Sequence, residues 1–285
     1  MTTIKDKIQE QFETLSSGQK RAAHYIQQHM QEVALQPAHK TATKASVSEA
    51  TVHRLAQALS YPSFSAMHQD IQRYILRDQR AVKNLEHLTS RQEESWLEKH
   101  FTQEMDNIRE TMLQTDKMQI QETVRELLKA DRIWVAGWRM GLSVTSFLSF
   151  VLKYMLGNCE LIPQGSVAEY SAYIRPNDVL FVCGFPRYCS RTLKVSKLAK
   201  EQGATVIALT DSNLSPFAKL ADLTLLAQSK SKGFLDSYTA SLSVVNAIIN
   251  EISYLEKERV KVNIERMELM FEQFQDSFEW MSRTK

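Results

Sequence analysis

The hydrophobic period changes once along this chain, at Arg132, and that change constrains the fold more than any other feature. Before it, apolar residues recur every three or four positions: Ile4, Ile8, Phe12 and Leu15, then Ala22, Ala23, Ile26, Met30 and Val33. Val47, Val52, Leu55 and Leu59 follow, and then Met67, Ile71, Tyr74 and Ile75. This spacing predicts packed helices, broken clearly at Ser60-Tyr61-Pro62-Ser63. Residues 78–95 are polar and read as a connecting helix or linker, and from Trp96 to Leu128 the helical pattern resumes.

From Arg132 on, short β-like runs alternate with helical stretches. Strands are expected at Ile133–Ala136, Glu160–Ile162, Asp178–Cys183, Thr205–Thr210 and Asp222–Leu226. Helices are expected at Val144–Leu156 and from about Ser190 to Gln202, closed by Gly203. That alternation predicts a doubly wound α/β unit with a parallel sheet. The tail from Thr239 to Met281 reads as helix. Its last part carries a heptad-like stripe of Val260, Ile264, Met267, Phe271, Phe274, Phe278 and Met281. The expected organisation is therefore a helical head over 1–77, a helical linker over 78–129, an α/β domain over 130–257 and an amphipathic helix over 258–285.

Punctuation agrees with that division. Of 8 glycines, Gly18 stands alone and the other seven fall between Gly137 and Gly233, whereas all 7 histidines fall in the first hundred residues. Within residues 1–77, nine Lys/Arg face six Asp/Glu, so the head is mildly basic although the whole chain carries only +2. Three cysteines form no CxxC pair, which fits a reducing cytoplasm better than a disulfide scaffold. No secretory leader is expected, and the longest apolar run, Val144 to Leu156, is too short to span a bilayer.

Residues 42–59 fit a helix-turn-helix. Ala42 is the small residue that a close helix crossing needs, Ser46 takes the turn, and Val52 is the apolar anchor. Ser46 to Glu49 has capping-box spacing, and Ser48 alone also suits a cap. A helix starting there buries Val52, Leu55 and Leu59 and turns Ser48, Glu49, Thr51, His53 and Arg54 toward DNA, with base edges at its N-terminus and phosphates at its basic residues. On spacing alone, a small helical core with solvated charges fits equally well.

From Leu15 to Ile75, LSSGQKRAAHYIQQHMQEVA followed by ASVSEATVHRLAQALSYPSFSAMHQDI resembles the N-terminal domain of the RpiR family of bacterial transcription regulators. Two departures concern the turns: the family usually has glycine where this chain has Ser46 and Ser60. Residues 130–255 in turn resemble a SIS domain, the phosphosugar-binding module of sugar isomerases and of these regulators. RIWVAG, RPNDVLFVCG and LAKEQGATVIALTDSNLSPFAKLADLTLL carry that likeness.

The resemblance implies a ligand pocket built from two strand-to-helix loops, and both are altered here. A loop usually written Ser-x-Ser-Gly-x-Thr, which cradles phosphate at a helix N-terminus, reads Gly184, Pro186, Arg187 and Cys189 at the corresponding positions. The first loop, usually Gly-x-Gly-x-Ser, reads Gly137-Trp138-Arg139-Met140-Gly141. Phe185 to Tyr188 is similar to a Phe-x-Arg-Tyr loop found in a subset of these regulators. The candidate ligand residues are thus Gly137, Arg139, Gly141, Ser143, Arg187, Tyr188, Ser190, Thr192 and Ser237. In one reading Arg139 and Arg187 grip an anion as charged forks. In the other they pair or snorkel over a closed pocket.

Catalysis is not expected. Sugar isomerisation needs a general base, yet no histidine follows His100, and Glu169 and Asp211 read as caps or structural partners. No metal cluster or cofactor motif stands out. The reading is a cytoplasmic regulator that binds a double-stranded operator, senses a small anionic metabolite and works as a dimer or tetramer, with the C-terminal stripe between subunits. An isomerase with a degenerate head and a metabolite-blind dimeric adaptor remain the alternatives.

Overall fold

The computed structural model describes residues 4–76, 95–231 and 233–274. Two compact units form, Met1–Ser90 with Pro186–Tyr188 in one and Arg91–Phe185 with Cys189–Lys285 in the other.

The first unit is helical: α1 (Ile4–Gln11), α2 (Ser17–Gln28), α3 (Met30–Val33), α4 (Ala38–Lys44), α5 (Glu49–Ala58) and α6 (Phe64–Leu76). The apolar positions at helical spacing form its core, with Ile8, Ile26, Val52, Leu55, Leu59, Met67 and Ile71 fully buried. At the start of α2, Ser16 Oγ accepts from the Gln19 amide (3.4 Å) while Gln19 Oε1 accepts from the Ser16 amide (2.9 Å). This reciprocal cap satisfies two otherwise orphaned donors.

Two further turns share one geometry. After α4, Ser46 takes φ 53°; its N–H donates to Thr43 O (3.1 Å), and the Val47 N–H donates to Ala42 O (3.0 Å). After α5, Ser60 takes φ 62°; its N–H donates to Gln57 O (2.9 Å), and the Tyr61 N–H donates to Ala56 O (2.9 Å). Both are Schellman closures, in which a left-handed residue lets two amides cap the last carbonyls of the helix. Serine keeps the turn while bearing a Cβ that glycine would not.

The second unit opens with α7 (Trp96–Gln114) and α8 (Lys117–Lys129), then alternates β1 (Ile133–Ala136), α9 (Leu142–Leu156), β2 (Cys159–Leu161), α10 (Val167–Ser171), β3 (Val179–Gly184), α11 (Ser190–Glu201), β4 (Thr205–Thr210) and β5 (Leu223–Leu226). It closes with α12 (Thr239–Leu255) and α13 (Lys257–Phe274). All four strand pairings are parallel and the order is β2-β1-β3-β4-β5. β1 and β4 lie where expected, β2, β3 and β5 shift by one residue at their ends, and α10 is an element the periodicity did not announce. Parallel strands need cover on both faces. Ile133, Val135, Phe181 and Ile207 meet Val124, Leu148 and Ile248 of α8, α9 and α12 in one core, and α11 packs on β3 and β4. Of the stretch expected as a linker, α8 buries Ile120, Val124 and Leu127 in this core; residues 77–94 lie outside the described residues.

The tail is not one helix, because the chain bends at Glu256 (φ −114°, ψ 33°). Part of its stripe packs on the same chain. Val260 is buried and Ile264 packs with it against the sheet unit's own core. The Asn263 side chain donates to Met155 O (2.8 Å), and the Phe271 ring stacks on Tyr154 of α9 at 6.1 Å. The cover is partial, since Phe274 of the same stripe is 76% exposed; Phe278 and Met281 lie outside the described residues. Among the described residues no helix is long and apolar enough to cross a membrane.

The serine turns give a stability test. Ser46→Gly and Ser60→Gly should each stabilise the head by about 0.5–1 kcal/mol, the left-handed penalty less the extra freedom of unfolded glycine. Calorimetry of the full chain would show this as a rise in the head's unfolding transition.

Candidate functional site

In the head, the chemistry gathers on α5. Ser48 is its N-cap: the hydroxyl accepts from the Thr51 amide (3.2 Å) and lies 2.9 Å from the Thr51 hydroxyl. Ser46 closes the preceding helix instead, so the cap belongs to Ser48 alone. Thr51 is half-buried, with its methyl facing Gly18 of α2, where an added Cβ would stand 3.2 Å away. Thr51 therefore fixes how α5 crosses α2. Glu49, His53 and Arg54 are exposed on α5. Glu49 and His53 stand 3.8 Å apart as an i,i+4 pair, and Arg54 Nε donates back to Ala50 O (3.3 Å). Lys40 and Lys44 of α4 and Gln57 of α5 are exposed as well, and the periodicity did not single them out.

In the second unit, strand order sets the location. The order β2-β1-β3-β4-β5 reverses direction between β1 and β3, so the crevice that such sheets use for ligands is expected beyond the carboxyl ends of these two neighbours. The loops there are 137–141 and 185–189.

The first loop lies directly on the second strand. A Cβ at Gly141 would stand 2.8 Å from the Cys183 carbonyl oxygen, a contact only glycine permits. The buried Thr145 hydroxyl locks the loop from below, within hydrogen-bond reach of Gly137 O (3.1 Å) and Gly141 O (3.0 Å). Trp138 is buried and donates through Nε1 to Ile162 O (3.2 Å), so its ring packs the fold. Arg139 is exposed at φ 60°, and Ser143 donates its hydroxyl to Met140 O (2.8 Å).

The second loop starts at Gly184, where a Cβ would meet the Phe217 ring at 2.0 Å and whose carbonyl accepts from the Thr210 hydroxyl (2.7 Å). Phe185 is buried edge-on to Tyr238 (5.1 Å between ring centres). Arg187 takes φ 69°; it and Tyr188 are half-buried, and Ser190 is exposed at the first position of α11. Two expected ligand contacts are engaged or hidden. Thr192 is fully buried, which withdraws its hydroxyl from solvent. The Ser237 hydroxyl donates to Glu104 of α7 and accepts from the Thr239 amide (3.3 Å). The other expected residues are Gly137, Arg139, Gly141 and Ser143 on and just after the first loop, and Arg187, Tyr188 and Ser190 on and just after the second. Both following helices begin without a side-chain cap, at Gly141 for α9 and Cys189 for α11.

Residues 2–77 match the helix-turn-helix domain of the rpiR family, and residues 126–251 match the SIS domain. The chain belongs to the RpiR family of helix-turn-helix regulators. An uncharacterized HTH-type transcriptional regulator of Haemophilus influenzae is 23% identical over 257 residues, 88% of each chain. The sugar isomerase domain of an RpiR transcription factor from Sphaerobacter thermophilus is 28% identical, with TM-score 0.59 over 61% of this chain and 99% of that one. The Vibrio vulnificus NanR protein, solved with ManNAc-6P, shares the fold along 95% of this chain and 99% of its own, with TM-score 0.68 and 17% identity.

Against the usual RpiR loops, this member holds arginine at two left-handed positions. The supporting residues Thr145, Thr210 and Phe217 escaped sequence reasoning because each reads as an ordinary core position. Among the described residues no group of His, Cys, Asp and Glu is arranged to hold a metal ion. Burial pushes the Cys183 thiol up and the Cys159 thiol up to about 12, which disfavours the thiolate.

Two outcomes follow. Gly184→Ala should cost about 1–3 kcal/mol by overpacking, and Phe217→Leu in the same chain should recover part of it, as read in urea melts. At pH 8 a thiol reagent should modify one cysteine rapidly, the half-buried Cys189, and all three only after unfolding; fast labelling of Cys159 or Cys183 would contradict the burial.

Proposed function

We propose that this RpiR-family chain is a DNA-binding regulator whose SIS crevice senses a small anionic metabolite of the sugar-phosphate class. The observation that carries the sensing half is the pairing of two uncapped helix N-termini with two arginine loops at adjacent strand ends. First-turn amides and the positive end of the helix dipole favour an anion, and guanidinium groups add charged, forked donors. Arg139, Arg187, Tyr188 and Ser190 are the assigned contacts, with Gly137 and Gly141 giving the backbone its close approach and Ser143 fixing the first turn. The fold shared with a protein solved with ManNAc-6P supports the ligand class.

For the head, Glu49, His53 and Arg54 are the assigned DNA contacts, and Ser48 and Thr51 hold α5 in place. The reading is non-catalytic: Glu169 is exposed on the short α10, and Asp211 stands 3.1 Å from the Thr210 hydroxyl that braces Gly184. Sustained turnover of a sugar phosphate by the purified chain would reverse that part.

Arg54→Ala should weaken binding to the chain's own promoter region and flatten its salt dependence by about one phosphate contact. Binding without salt dependence would count against the head as a DNA reader. In the crevice, Arg139→Gly separates structure from sensing. It relieves a left-handed residue, so unfolding should occur at an equal or higher temperature, while the thermal shift given by sugar phosphates shrinks by roughly 1.5–3 kcal/mol of binding energy. No shift in wild type or variant would favour a closed pocket.

A further inference from the structure

The crossovers β2–α10–β3 and β3–α11–β4 step the same way along the sheet, so right-handed connections set α10 and α11 side by side on the face away from α9. A cleft of about 470 Å³ lies between them, within the roughly 300–1,000 Å³ of small-molecule sites. Ala168, Ser171 and Ala172 line the α10 side, where larger side chains would fill the space, and Val195 and Leu198 line the α11 side. The lining includes nothing from the loops 137–141 and 185–189. Along α11 the chemistry of the cleft changes from end to end. Arg191 and Lys194 stand on its first turns, both exposed. Arg191 Nη1 donates to Gln164 O (3.1 Å), and neither cation pairs with a carboxylate among the described residues. Of the nearby acids, Glu201 pairs with Lys197 and Glu169 lies off the lining. The middle is apolar, made by Val167, Val195 and Leu198. At the far end the hydroxyl of Ser171, a residue 5% exposed, and the Gln202 side-chain oxygen are buried with no hydrogen-bond partner among the described residues. Buried polar atoms in that state carry a desolvation cost that a partner would offset.

We propose that this cleft is a second ligand site, separate from the crevice, for a linear carboxylate that carries a hydroxyl at its far end. The carboxylate meets Arg191 and Lys194, two cations that lack an acidic partner. The aliphatic chain lies along Val195 and Leu198. The terminal hydroxyl donates to the Gln202 side-chain oxygen and accepts from the Ser171 hydroxyl, so both buried groups gain the partner they lack. From Lys194 to Gln202 the helix advances about 12 Å, which suits an acid of the length of octanoate. A sugar phosphate has the charge but not the body, since its hydroxyls would lie against Val195 and Leu198 without hydrogen bonds. Occupancy of the cleft requires nothing of the sensing reading, so either can fail while the other stands.

The test is calorimetric titration of the full chain with 8-hydroxyoctanoate, beside octanoate and 1,8-octanediol. The hydroxy acid should bind, and octanoate and the diol should each bind on the order of 10-fold more weakly. Arg191→Ala combined with Lys194→Ala should remove the preference for the acid over the diol, whereas Lys197→Ala, off the cleft, should keep it. Ser171→Ala deletes a hydroxyl that has no partner in the free chain. Its unfolding temperature should therefore hold or rise, while the hydroxy acid loses its advantage over octanoate. Ala172→Phe, at an exposed position, should block the cleft and leave the circular-dichroism spectrum unchanged. No binding of the hydroxy acid, equal binding of the diol, or binding that survives Ala172→Phe would each overturn the proposal. So would a loss on Arg139→Gly as large as that on the Arg191 and Lys194 pair, because it would assign the acid to the crevice.

Discussion

A missing Cβ at Gly141 sets the geometry of the second unit. Because nothing stands between that residue and the Cys183 carbonyl oxygen, the N-terminus of α9 can rest on the end of β3. The Thr145 hydroxyl then ties both ends of the loop at Gly137 and Gly141. Gly184, one residue beyond Cys183, is held in turn by Phe217 and by the Thr210 hydroxyl from β4. The two loops are thus braced by β3, β4, α9 and the Phe217 ring before any ligand is considered. A crevice floor fixed in this way presents backbone amides at no further reorganisation cost, the condition under which helix N-termini bind anions well.

On that floor, the departures from the usual RpiR loop become intelligible. Arg139 and Arg187 occupy left-handed positions, φ 60° and 69°, that disfavour a side chain. Ser46 and Ser60 do the same in the head, but there the left-handed residue completes a helix closure with two hydrogen bonds. The serine turns have a local reason. For the arginines the turn alone would be better served by glycine, so the guanidinium is the part that offers a gain.

Much of this was legible in the sequence. The change of period at Arg132 located the boundary between helical and α/β architecture, and β4 was expected at its observed ends, Thr205–Thr210. Sequence resemblance located both loops. What periodicity cannot give is the identity of the surface a stripe meets. Val260, Ile264 and Phe271 recur at the spacing of a subunit contact and meet the core and Tyr154 of the same chain, while Phe274 of the same stripe stays exposed. Likewise Thr192 reads as a hydroxyl near a helix N-terminus, and only the packing of α11 shows it withdrawn from solvent. Ser237 has the right residue type but is engaged by Glu104, more than a hundred positions earlier in the chain.

Helices α7 and α13 make the same point from opposite directions. Both are amphipathic and both flank the sheet unit. α13 buries Val260 and lays Phe271 on Tyr154, so its stripe contributes hydrophobic free energy to the fold of one chain. α7 attaches through an amide, a threonine hydroxyl and two carboxylates, each worth on the order of 1 kcal/mol net because water competes for the same groups. The apolar side chains of α7 add little to that attachment while they remain exposed, although fully burying each would be worth about 1.5–3 kcal/mol.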